Sequence, residues 1–155
     1  MTDGAIRRAI AALRTGRPVR IEGVQPLGIV AVECATAEML ELLDGDSTAR
    51  LLISGPRAAA LGLGNQRDSA APDLPVLLER SPWLDQRSAL ALADPGQDFE
   101  RGPIGPLTPL TNDHMAQSAA AIRLARSAGL LPALWLVDPD AAALSLSPDS
   151  MSASA

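Results

Sequence analysis

Lysine and tyrosine are missing from this 155-residue chain, cysteine and histidine occur once each, and the aromatic side chains stop at Phe99, Trp83 and Trp135. Each shortage excludes something. Without lysine there is no P-loop, whose lysine reaches the terminal phosphates of a nucleotide, and no Gly-x-Gly-x-x-Gly stretch replaces it. A single cysteine, Cys34, permits neither an internal disulfide nor a cysteine-built zinc cage, which fits a reducing cytoplasm. So few aromatics leave the core to Leu, Ala, Val and Ile, and therefore to many small contacts. The chain also lacks positive charge: thirteen scattered arginines face eighteen acids, for a net charge of -5. A nucleic-acid binder needs a basic footprint, so nucleic acid is excluded as a partner. The opening MTDGAIRRAI has no signal-peptide core, and no apolar run approaches the roughly 20 residues of a membrane span. The expectation is a cytoplasmic domain with no membrane partner.

Apolar residues are nevertheless 47% of the chain, and their spacing is informative. Ile6, Ala9, Ile10 and Leu13 recur at helical spacing over 3–15, with Thr2 or Asp3 to cap the helix and Gly16 and Pro18 to end it. Pro18 to Glu22 alternates as a half-buried strand, and Leu27 to Glu33 reads as a more central one. Thr36 caps a short helix to Leu43, and Asp44-Gly45-Asp46-Ser47 turns out of it. Leu51 to Ser54 is a third strand, leading into a helix from Arg57 to about Leu63. A polar loop covers 65–75. A strand at Val76 to Glu79 and a helix from Ser81-Pro82 to Ala93 follow, the latter stopped by Asp94-Pro95-Gly96. A long helix over Asp113 to Ala128, Gly129 and the run LLPALWLV complete the pattern. We take 1–147 as one domain and 148–155 as a Ser/Ala-rich tail or linker, the closing SLSPDSMSASA having the composition of a frayed end.

Residues that carry chemistry are sparse. His114 has Asp113 beside it, far short of a coordination sphere. The expected arrangement is Asn112 or Asp113 capping the long helix, with His114 exposed in its first turn. Cys34 follows a strand and packs as a small hydrophobe. Arg57, behind Gly55-Pro56 at a strand-to-helix corner, is a candidate anion contact. Asp85, Asp94, Asp98 and Glu100 read as helix-end or loop residues, at no spacing that requires acid/base work.

The order of these pieces resembles the 3,4-dihydroxy-2-butanone 4-phosphate synthase family. That enzyme of riboflavin biosynthesis converts ribulose 5-phosphate to a four-carbon phosphate and formate with magnesium. IRRAIAALRTGRPVRIE is similar to the family's first helix, turn and strand, and AVECATAEMLELL to its next strand-to-helix passage. ALADPGQDFERGPIGPLTPL is similar to its Ala-Asp-Pro helix end, Asp-Phe pair and proline-rich approach to the last long helix. AAAIRLARSAGLLPA resembles that helix's Ala-Gly-Leu end. The likeness spans about residues 5–138. It implies an α+β, three-layer fold with a mixed β-sheet flanked by helices.

The departures fall on the chemistry. The family's acidic loop, Arg-Glu-Asn-Glu-Gly-Asp, belongs between the first two strands, where this chain has Gly23-Val24-Gln25-Pro26. Its Gly-His-Thr-Glu motif falls on Ala116-Gln117-Ser118-Ala119, so Gln117 replaces the metal-binding histidine and Ala119 the glutamate. The resemblance therefore implies no catalytic residues, no cofactor and a lost magnesium site. Domains of this kind are fused ahead of GTP cyclohydrolase II. The expected role is thus a non-catalytic, homodimeric support for that enzyme, in cis or in trans. The alternative is a residual sugar-phosphate-binding regulatory module using Arg57, Arg87 or Arg101.

Overall fold

The computed structural model describes residues 2–63, 74–98 and 105–149. Its elements in chain order are α1 (Thr2–Arg14), β1 (Val19–Ile21), β2 (Leu27–Ala31), α2 (Ala37–Leu43), β3 (Arg50–Ile53), α3 (Gly55–Ala60) and β4 (Val76–Leu78). Then come α4 (Gln86–Ala93), β5 (Pro109–Leu110), α5 (Met115–Ser127), β6 (Ala133–Val137) and β7 (Leu144–Leu146), with 3-10 turns at Pro95–Gln97 and Pro139–Ala141. The seven strands form one sheet in the order β5-β4-β3-β6-β2-β1-β7. Every pairing is antiparallel except β1 with β7, so the sheet is mixed.

Period-two alternation sends successive side chains of the central strands into two separate cores. Leu27, Ile29 and Ala31 of β2, Leu134 of β6 and Leu52 of β3 join α1 and α5 on one face. Val30, Val32, Leu51, Ile53, Ala133 and Trp135 face α2, α3 and α4 on the other. A sheet covered on both sides needs apolar residues at consecutive positions, which is why LGIVA and ALWLV read as unbroken runs. On the first face the helices contribute many alanines, among them Ala9, Ala12, Ala121 and Ala125. Small side chains there let the helices lie close to the sheet without aromatic filler. The result is the α+β, three-layer arrangement expected, with a mixed sheet between helical layers.

Several boundaries differ from the sequence reading, each for a local reason. The helix expected from Ser81 begins at Gln86, because Asp85 is the cap that accepts the Ser88 N–H at 2.8 Å, while Ser81 to Leu84 form a turn. The helix expected from Arg57 begins at Gly55, with Ser54 Oγ accepting the Arg57 N–H at 3.2 Å. β2 stops at Ala31 rather than Glu33, and the chain turns there through the Ala35 N–H to Ala31 O bond. β5 and β7 were not foreseen. Part of the stretch read as a frayed end, Ser145 and Leu146, lies inside the sheet: β7 pairs with β1, and Leu146 is buried in the first core. The helix end at Gly129 is as expected. Its φ of 75° is cheap only for glycine, and the next N–H, of Leu130, returns to Ala125 O at 2.9 Å. Most of the 65–75 loop, residues 150–155 of the tail, and Phe99, Glu100 and Arg101 lie outside the described residues.

Candidate functional site

The resemblance placed the interesting chemistry where the β1–β2 link meets the start of α5. There Gln117, only 7% exposed, extends from the first turn of α5 to the link. Its Nε2 donates to Gln25 O at 2.7 Å and to Ile21 O at 3.5 Å. Gln25 lies in the link between β1 and β2, outside either strand, so the amide supplies a donor to a carbonyl that the ladder does not reach. Gly23 lies against the same side chain: a Cβ built there would meet Gln117 Nε2 and Cδ well inside contact distance. Glycine and glutamine are thus matched parts of one brace.

The start of α5 differs from the sequence reading. Neither Asn112 nor Asp113 is the N-cap: His114 holds that backbone position, half-buried, and makes no side-chain capping bond. Asn112 acts one step earlier, its Oδ1 accepting the His114 N–H at 2.9 Å and its Nδ2 donating to Ser118 Oγ at 3.0 Å. That bond orients Ser118, which is 1% exposed. Among the described residues, no three or more His, Cys, Asp or Glu side chains are grouped so as to hold a metal ion.

Of the sequence-nominated arginines, Arg57 and Arg87 lie among the described residues and take different places. Arg57 is buried at 7% exposure; its Nε donates to Leu92 O at 2.7 Å and its two Nη atoms bind the two Asp98 oxygens end-on. A phosphate at Arg57 would have to displace a bidentate carboxylate. Arg87 is exposed near the start of α4, at the opposite end from Leu92, and Arg101 lies outside the described residues. The carboxylates serve as structure. Asp85 caps α4, Asp94 accepts the Gly96 N–H at 2.9 Å, and Asp98 holds Arg57. Cys34 is half-buried, and burial together with neighbouring Glu33 pushes its thiol pKa up against the opposing pull of Arg14. Such surroundings keep it a thiol rather than a thiolate nucleophile.

Sequence reasoning missed a polar network on the other face of the sheet. Trp135, fully buried at the centre of β6, donates its Nε1–H to Gln86 Oε1 at 2.8 Å, and Gln86 Nε2 donates to Val32 O at 2.7 Å. The Arg80 guanidinium sits over the Trp135 ring, 4.7 Å from its centroid. Arg80 Nη1 then binds Asp44 Oδ2 at 2.9 Å and Ala49 O at 3.3 Å. Asp44 also accepts the Thr48 N–H, the Thr48 hydroxyl and the Ala49 N–H, fixing the loop between α2 and β3. Ser47, at φ 55°, is held within that loop. Burial pushes the Asp44 carboxyl up, but those hydrogen bonds and the Arg80 charge outweigh it and leave its pKa lowered. No local pattern announces the pairings of Trp135, Gln86 and Arg80, which span 31 to 55 residues of chain.

Beside this loop, at the end of the sheet nearest the start of α5, lies an open cleft of about 580 Å³. Its floor is Leu27, Leu77, Leu136 and Val137. Its polar wall includes Asp46, Thr48, Arg50, His114, Ser118 and Asp138. The volume falls within the range of small-molecule sites.

No family model and no curated protein matches the chain. Among solved structures it is similar to 3,4-dihydroxy-2-butanone 4-phosphate synthase of Candida albicans, at 15% identity over 96% of this chain and 96% of that one, with a TM-score of 0.61. At that identity the likeness is one of fold. It agrees with the architecture that the sequence resemblance implied.

Proposed function

We propose that this chain is a synthase-like domain of riboflavin biosynthesis that keeps the architecture without the chemistry, and that it serves as a structural, dimerising support for GTP cyclohydrolase II. The observation that carries this reading is the use made of Gln117. At the position where the resemblance implies a metal-binding histidine, the side chain is spent on Gln25 O and Ile21 O, bracing the short link that stands in place of an acidic loop. A magnesium site needs carboxylates in near-octahedral array with waters and substrate oxygens. The resemblance assigns that work to residues replaced here by Gln117 and Ala119 and by the 23–26 link. Without such a site, the electrostatic stabilisation of an enediolate-like intermediate has no provider.

The second reading, a residual sugar-phosphate-binding module, has less to work with. Arg57 is already engaged by Leu92 O and Asp98, which leaves the task to Arg87 and Arg101. The supporting role is tested by mixing the chain with GTP cyclohydrolase II and measuring the mass of the eluting species by light scattering. A stable complex containing two copies of this chain is expected. Separate elution of both proteins, with this chain monomeric, would contradict the role.

A further inference from the structure

We infer that the cleft between the Asp44–Arg50 loop and the start of α5 binds a small zwitterion, an α-amino acid with an aliphatic side chain. The inference goes beyond the reading above and does not depend on it.

Strand register brings two opposite charges to one end of the sheet. Arg50 pairs directly with Leu136 across β3 and β6, and Asp138 follows two residues later. Alternation puts Arg50 on the same face as Leu52, which packs with α1 and α5, and the cleft opens on that face. Strands about 4.8 Å apart, with about 3.4 Å per residue along them, place the Arg50 and Asp138 backbones roughly 8 Å apart. Both residues therefore line the cleft beside Leu136, with backbones close enough for one small molecule to reach both side chains.

These charges are not spent on each other. Among the described residues, the Arg50 guanidinium has neither an ion-pair nor a hydrogen-bond partner. Asp138 is exposed and lines the cleft, and one of its oxygens, Oδ1, accepts the Asp140 N–H at 2.9 Å. Asp44, by contrast, is consumed by Arg80 and by three donors of its own loop. What the cleft offers a ligand is one cation at Arg50, the carboxylates of Asp46 and Asp138, and an apolar floor.

Charge sign decides the ligand class. A simple anion drawn to Arg50 would face Asp46 and Asp138, and a simple cation drawn to those acids would face Arg50; each arrangement opposes binding. A molecule carrying both charges satisfies all three. The floor of Leu27, Leu77 and Leu136 then selects an aliphatic substituent, because a polar one would be desolvated there without a partner. The loop forming one wall is held by Asp44 and carries Ser47 in a left-handed conformation, so the cleft is formed before any ligand arrives.

The test is calorimetric titration of the full chain with L-leucine, alongside isovalerate, which lacks the ammonium, and isopentylamine, which lacks the carboxylate. Leucine is expected to give saturable heat and to raise the melting temperature, since a ligand binding only the folded state stabilises it. Losing either charged group, or making Arg50→Ala or Asp138→Asn, is expected to weaken binding by about tenfold or more, as loss of a charge-assisted hydrogen bond does. Asp138→Asn keeps an acceptor for the Asp140 N–H, and Arg50 is exposed, so neither variant should disturb folding. No heat with leucine, leucine binding unchanged in both variants, or isovalerate or isopentylamine binding as tightly as leucine would each overturn the assignment. The light-scattering test of the supporting role reads a different property, so the two ideas fail separately.

Discussion

Replacing Trp135 by alanine is expected to destabilise the chain by about 3–5 kcal/mol, the range for truncating a large buried aromatic. Trp135 is fully buried in the central strand β6, between β2 and β3, so the cavity would open in the middle of the second core. Two further losses push toward the upper end. Gln86 Oε1 would lose its donor while still buried, and the Arg80 guanidinium would lose the ring beneath it. Trp135→Phe keeps most of the volume and part of the cation–π contact, and should cost about 1–3 kcal/mol, chiefly for the unpaired Gln86 oxygen. Urea unfolding of the three proteins checks the order. Equal midpoints for Trp135→Ala and wild type would show that this face of the sheet is not a packed core.

Asp44→Ala is the second large effect. The Asp44 and Arg80 side chains are 8% and 13% exposed, so removing the acid leaves a nearly buried guanidinium without its counter-charge. Breaking one side of such a pair costs about 3–5 kcal/mol. The Thr48 and Ala49 N–H groups lose their acceptor as well. The double replacement Asp44→Ala with Arg80→Met should recover part of the loss, because no lone charge remains. The pH dependence has a definite sign. The folded-state pKa of Asp44 is lowered from 3.8, so its contribution is fully present above about pH 4 and is lost as pH falls through the folded value. Asp85 is lowered in the same direction, first by the Ser88 hydrogen bonds. Wild type should therefore lose stability below about pH 4, and Asp44→Asn should show a shallower loss over that window.

How far the sequence was legible depends on the range of the interaction. Elements set by neighbouring residues were readable: the Thr36 cap, whose Oγ1 accepts the Met39 N–H at 3.1 Å; the Asp94-Pro95 stop; the Gly129 helix end; and the apolar runs of β2 and β6. Elements set by distant partners were not. β7 has only Leu144 and Leu146 to announce it and becomes a strand because β1 offers an unpaired edge far away in sequence. Asp44 reads as an ordinary turn residue in the sequence, and only the fold pairs it with Arg80, which lies over Trp135. The cleft was invisible for the same reason, since Arg50 and Asp138 meet only through the β3–β6 ladder. Gln117 was noticed as a departure from a family pattern. Its bond to Gln25 O turns that negative observation into a structural role.

That role makes the central claim testable. Under the proposed reading, the synthase-like fold persists here with the positions of Gln117 and the 23–26 link put to structural use. The direct measurement is incubation of the purified chain with ribulose 5-phosphate and magnesium and quantitation of formate. Formate indistinguishable from a protein-free control is predicted; release above that control, proportional to protein concentration, would contradict the account.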